Sequence, residues 1–167
     1  MRRVSLVPLL LSAWLGAGIL FAAVVAPAAF AVLPSRTIAG ALVGRVLPVL
    51  FVAGLAMAAI GLVLDRATDG VLPRVRRGTL VVVAVSCAIA QFVVAPRIAA
   101  LRDEIGGPIE QLSPTDPRRV AFGRLHGVSV AWLGLAMLGA GATIVCASLA
   151  PRTHRAPINE AMTIAAR

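Results

Sequence analysis

Apolar positions in this chain gather into long continuous runs instead of alternating with polar ones. The first extends from Val4 to about Leu33, with Ser12 and Pro27 in its body. The second is Leu42 to Leu64, with Arg45 near its start and free to snorkel to an interface. The third is Thr79 to Ala95, continuing past Pro96 into a more polar stretch, and the fourth is Gly127 to Leu149. A bilayer core takes about 20 helical residues to cross, and each run is of that order. Only helices and closed barrels satisfy their backbone groups inside lipid. A barrel strand would alternate, so these runs exclude one. The predicted fold class is all-α: a polytopic membrane protein with a four-helix transmembrane bundle. Its helices are expected at about 4–33, 42–64, 79–100 and 117–149, making one domain over 1–149. A short flexible cytoplasmic tail is expected at 150–167.

The connection from Pro96 to Arg124 is the longest polar segment between runs. Ile98, Leu101, Ile105, Ile109 and Leu112 keep a helix-like spacing among charges, while Gly106-Gly107-Pro108 should break it midway. The expectation is an amphipathic segment on the membrane surface. Thr115 or Asp116 is placed to cap a helix whose first residue is Pro117, so the fourth helix should begin outside the bilayer.

Arg2-Arg3 before an apolar stretch resembles a signal peptide, and Ala29-Phe30-Ala31 a cleavage site. The apolar run is about twice the 7–15 residues of such a segment, which favours an uncleaved helix. For orientation, the side holding both chain ends and the 65–78 loop carries nine arginines, and the other side seven. Arg2, Arg3 and the Arg74/Arg76/Arg77 group flank the early helices, which dominate insertion, so both termini are expected in the cytoplasm.

Composition removes the soluble alternative. With 59% hydrophobic and 14% charged residues and a mean hydropathy of +0.93, the chain lacks material for a polar surface. The net charge of +9 comes from 16 basic residues, all Arg, against 7 acidic ones. The arginines flank apolar runs without aromatic interleaving, which fits headgroup contact and orientation and argues against nucleic acid as a partner. Arg without Lys points to a GC-rich, bacterial source and hence the inner membrane. Expected partners are membrane lipids, a further copy of the chain in a homo-oligomer, or a larger membrane complex. Cys87 and Cys146 lie inside apolar runs without a CxxC motif, so they are expected as buried thiols.

Two sets of residues stand out within the runs. Small residues let helices approach closely in lipid, and Gly127, Gly134 and Gly141 at heptad spacing predict a packing seam on helix four. Gly54, Ala58 and Gly61 predict one on helix two. The second set is polar and collects at one end of the bundle, where helices one and three end and helices two and four begin. His126, Gln91, Arg97, Ser129, Arg102 and Arg124 form the candidate polar cluster there. His126, Gln91 and Arg97 are expected close together, since antiparallel helices three and four bring their boundary residues level. Gln91 needs a hydrogen-bond partner at its depth. His126 is open to a structural hydrogen bond, to proton handling, or to metal ligation. Met57, Met137, Cys87 and Cys146 form no set on one helix face, and a bis-His haem lacks a second intramembrane His. No metal and no cofactor is expected.

The same end of the bundle carries a family resemblance. Val25-Ala26-Pro27-Ala28-Ala29-Phe30, Leu33-Pro34, Ala39-Gly40, Leu47-Pro48, Ala95-Pro96-Arg97-Ile98 with Leu101-Arg102, and Phe122-Gly123-Arg124-Leu125-His126-Gly127 with Ser129 resemble the transmembrane protein 205 family. The resemblance covers about residues 5–149. It implies a four-helix membrane domain and no established reaction. Leu47-Pro48-Val49-Leu50 stands where the family is expected to be more aromatic.

No nucleophile with a nearby base, no phosphate-cradling glycine loop and no paired membrane carboxylates appear, so an enzyme is not expected. Three roles stay open: a small structural or accessory membrane protein, an oligomeric transporter or small-molecule handler, and a haem- or quinone-associated redox subunit.

Overall fold

The computed structural model describes residues 6–65 and 70–149. The tail at 150–167 and the arginines at 2, 3, 66, 152, 155 and 167 lie outside the described residues. Among the described residues four long helices occur: α1 (Leu6–Val32), α2 (Arg36–Leu64), α3 (Val71–Ile105) and α4 (Pro117–Leu149). Each is long and apolar enough to cross a membrane, and no strand occurs among the described residues. The fold is therefore an all-α, multi-pass membrane bundle.

Helices two and three begin earlier than the apolar runs, at 36 and 71 instead of 42 and 79. Ser35 adopts an extended conformation and its hydroxyl accepts from the Ile38 N–H at 3.2 Å, capping α2 at the interface. Gly70, at φ +143°, turns the chain into α3, and Pro73 suits the first turn. The arginine-bearing segment Arg74–Arg77 is thus helix, not loop. The Arg76 guanidinium pairs with the Asp65 carboxylate, tying the end of α2 to the start of α3. At its far end α3 runs to Ile105 and stops at Gly106 in the left-handed region, φ +63°.

Helices one and three each contain a π turn, at Phe21–Val25 and Ala90–Val94. Ala26 N–H donates to Phe21 O, and Ala95 N–H to Ala90 O, one residue farther back than in an α-helix. Proline follows immediately in both cases, Pro27 and Pro96. A proline ring clashes with the carbonyl four residues back and removes a donor. Opening one turn relieves both.

The core lies between the four helices, where α1 and α3 each pack against both α2 and α4. The Trp14 indole N–H donates to Leu50 O at 2.8 Å. A Cβ on Gly54 would lie 2.7 Å from the Trp14 ring and 2.9 Å from Cys87 Sγ. Gly61 is close but less tight, with an added Cβ 3.0 Å from both Leu80 and Val7. Small residues on α2 are what allow the helices to approach this closely.

Helix four packs through a different seam from the one expected. A Cβ on Gly127, Gly134 or Gly141 would meet nothing within 4 Å. The buried residues are Ser129, Leu133, Ala136, Gly139, Ala140 and Thr143. A two-residue offset, as from Gly134 to Ala136, is about 200° around a helix, so the glycines face nearly opposite to the core. Heptad spacing identifies residues that share a face without identifying which face is buried. Gly139 takes the close contact, 3.2 Å from Thr79 O for an added Cβ, and the Thr79 and Thr143 hydroxyls lie 2.8 Å apart beside it.

Candidate functional site

At the end where α1 and α3 finish and α2 and α4 begin, the helices splay around a cavity of about 770 Å³. Its walls run from polar to apolar with depth. On α2 the lining residues begin with Arg36 and Thr37 and pass through Gly40, Val43, Gly44 and Leu47 to Pro48 and Phe51. On α4 they run Arg119, Phe122, Gly123, His126 and Ser129. Helix three runs the other way and contributes Ala95, Ile98, Ala99 and finally Arg102 near the mouth. Phe30 closes the α1 side, and Phe51, 2% exposed, forms the floor.

A short connecting stretch covers part of the mouth. Gly107, Pro108, Ile109 and Glu110 line the cavity, with Ile109–Gln111 in a single 3-10 turn. Thr37 Oγ1 donates to Glu110 Oε2 at 3.0 Å, and Arg119 Nη1 donates to Leu112 O at 2.7 Å. These bonds fasten the connection to α2 and α4. The Glu110 carboxyl is held below its ordinary value, first by its own backbone N–H against the opposing effect of desolvation, with Thr37 and then the Arg36 guanidinium adding smaller lowering effects. Beyond the cavity, Asp116 is held low by the Arg118 side chain, to which it is paired at 3.0 Å.

Arg102 is the most elaborately seated polar side chain of the site. Its Nη2 donates to Gly40 O at 3.2 Å, and its guanidinium carbon lies 5.4 Å from the Phe122 ring centroid. A Cβ on Gly40 would come within 3.1 Å of Nη2, and one on Gly44 within 3.0 Å of Nη1. The Gly40-x-x-x-Gly44 spacing therefore opens a notch on α2 that admits the guanidinium. Phe122 also stacks on His126, ring centroids 6.4 Å apart and 4° from parallel.

Of the expected polar cluster, Arg102, His126 and Ser129 line the cavity; Gln91, Arg97 and Arg124 do not. The expected Gln91–His126 contact is replaced by other arrangements. His126 is exposed and lies against Phe122, while Gln91 Oε1 is buried without a partner. Gln91 sits inside the π turn of α3, which shifts the level and direction of Gln91 relative to Arg97 from those of a regular α-helix. Arg97 is exposed. Thr37, Glu110 and Arg119 also belong to the site and were not singled out as such. Their signal was their place at the mouth-side helix ends. The Gly40/Gly44 spacing was equally visible but unremarkable without knowing that an arginine fills it.

A family model described as "Domain of unknown function (DUF4149)" matches residues 9–106, more than half the chain and the part that holds Gly40, Gly44 and Arg102. No curated protein and no solved structure matches the chain.

Proposed function

Because the chain belongs to the DUF4149 family, whose description names no activity, we propose its function from the cavity: it is a membrane-embedded small-molecule handler that binds a ligand with an apolar body. The carrying observation is a void of about 770 Å³ graded from an arginine-bearing mouth to a Phe51 floor. Most binding sites for small molecules have this size and this mainly apolar lining with a few placed polar groups. A purely structural or accessory bundle gains nothing from such a void, because in lipid stability comes from close packing. Binding, not catalysis, is the proposed role; Ser129 and His126 both line the cavity, yet no hydrogen bond joins them as nucleophile and base.

The resemblance to the transmembrane protein 205 family supports the same four-helix plan and is proposed as the finer relationship. The proposal extends to a bacterial inner membrane, with both termini cytoplasmic and the cavity opening on the opposite side. The arginines flanking the early helices support that orientation. Lipids are the proposed immediate partners, with a further copy of the chain as the assembly partner.

The test is to purify the chain gently and identify co-purifying small molecules by native mass spectrometry. Ala99→Trp, which fills the cavity from α3, should remove the adduct. An identical adduct pattern in the wild type and a folded Ala99→Trp variant would sink the reading.

A further inference from the structure

We propose that the cavity's ligand is an anionic amphiphile, its phosphate or carboxylate head bound by Arg102 in the Gly40/Gly44 notch and its apolar chain lying along α2 toward Phe51. This rests on the small-molecule reading and names the ligand class.

Charge carries the first step. Arg36, Arg102 and Arg119 line the cavity against a single carboxylate, Glu110. The ion pairs among the described residues are Arg76–Asp65 and Arg118–Asp116, neither of which involves these three arginines. Glu110 is engaged by Thr37. Arg102 is half-buried, and a guanidinium withdrawn from water without a counter-ion is costly. Its bond to Gly40 O and its contact with Phe122 position it and leave most of its five donors free. A guanidinium held in place but unneutralised is suited to an incoming oxyanion, whose two oxygens match its planar fork.

Depth carries the second step. From Arg36 to Phe51 is about 22 Å of helix at 1.5 Å per residue, and below Gly44 the α2 wall is Leu47, Pro48 and Phe51. A free inorganic anion would leave that wall unused. At depth on α4, Ser129 is 6% exposed and lines the cavity, and its hydroxyl takes part in no hydrogen bond among the described residues. A cavity-lining hydroxyl with no partner in the bundle is open to one from the ligand. It suits an oxygen beyond the head, such as the carbonyl of an acyl ester. A phospholipid supplies head, chain and ester together, whereas a fatty acid supplies head and chain.

The experiment uses the purified full chain in neutral detergent, titrated separately with dioleoyl phosphatidate, oleate, dioleoylglycerol and inorganic phosphate, with binding read by native mass spectrometry. Phosphatidate, oleate or both should bind about tenfold or more tighter than dioleoylglycerol, and inorganic phosphate should bind more weakly than either successful amphiphile. Phosphatidate alone identifies a phospholipid source, and oleate alone a free fatty acid. Arg102→Gln should bring the anionic ligands down to the affinity of dioleoylglycerol and leave dioleoylglycerol unchanged. Equal binding of dioleoylglycerol and the anionic lipids by the wild type overturns the anionic head while sparing the small-molecule reading. Inorganic phosphate binding as tightly as the amphiphiles overturns the chain, and a folded Arg102→Gln that keeps full anion affinity overturns the assignment to Arg102. Binding of none of the four, with Ala99→Trp also without effect, removes the small-molecule reading itself. Should Arg102→Gln fail to fold, the wild-type comparison still decides.

Discussion

Gly54 lies beneath the Trp14 indole with Cys87 at its other side, and a methyl group has no place there. Gly54→Ala must move a ring that is also bonded to Leu50 O, so a loss of about 1–3 kcal/mol is expected, the usual cost of overpacking a full core. A thermal melt of the purified variant in detergent checks it; an unchanged midpoint would mean the helices can part there freely. This residue was legible from the chain, because Gly54, Ala58 and Gly61, four and then three positions apart, mark one face of α2 and a long apolar helix must bury some face. His126 was not legible in the same way. It is exposed and stacks on Phe122 of its own helix, so its ring nitrogens are not driven to the interhelical bond that its level in the bundle suggested.

At the scale of a helix, the contrast between Gly139 and Gly134 separates the buried side of α4 from its open side. Gly139→Leu should drive α3 and α4 apart, against the Thr79 backbone and Val83, and lower the melting midpoint markedly. Gly134→Leu should leave it within error, as no atom stands within 4 Å of an added Cβ. Equal responses would show that the open side is also packed in the membrane. The existence and order of the four helices were plain from the apolar runs, and the α4 bounds followed from Asp116 and Pro117. The early starts of α2 and α3 were less visible, because a helix entering the membrane from outside carries polar residues in its first turns. Ser35 holds one start through its hydroxyl cap and Gly70 the other through its backbone conformation, each a single residue.

For the molecule as a whole, a reporter fused at Arg167 should fall in the cytoplasm and one inserted at Gly107 outside it, as the arginine distribution implies. An outside location for Arg167 would reverse the bundle. That polar groups collect at one end was evident from the chain. The cavity was not, since its walls come from all four helices and its cover from a connection whose anchors, Thr37 and Arg119, lie far apart in sequence. The two π turns bear on how that cavity is kept in register. Each stores one residue of slack, so the helix beyond it points as though the chain were one residue shorter. In α3 this slack sets the phase of Arg102; in α1 only Phe30, among the cavity residues, lies downstream of it. Pro96→Ala removes the reason for the slack, and a helix that rewinds into regular α geometry swings Arg102 by about 100°, away from its notch. Anionic-lipid binding should then fall. Deleting Val93 in the same chain, an exposed residue of the turn, should take up the surplus and return it. Pro27→Ala should leave that binding nearly intact, since the phase it disturbs belongs to no charged residue.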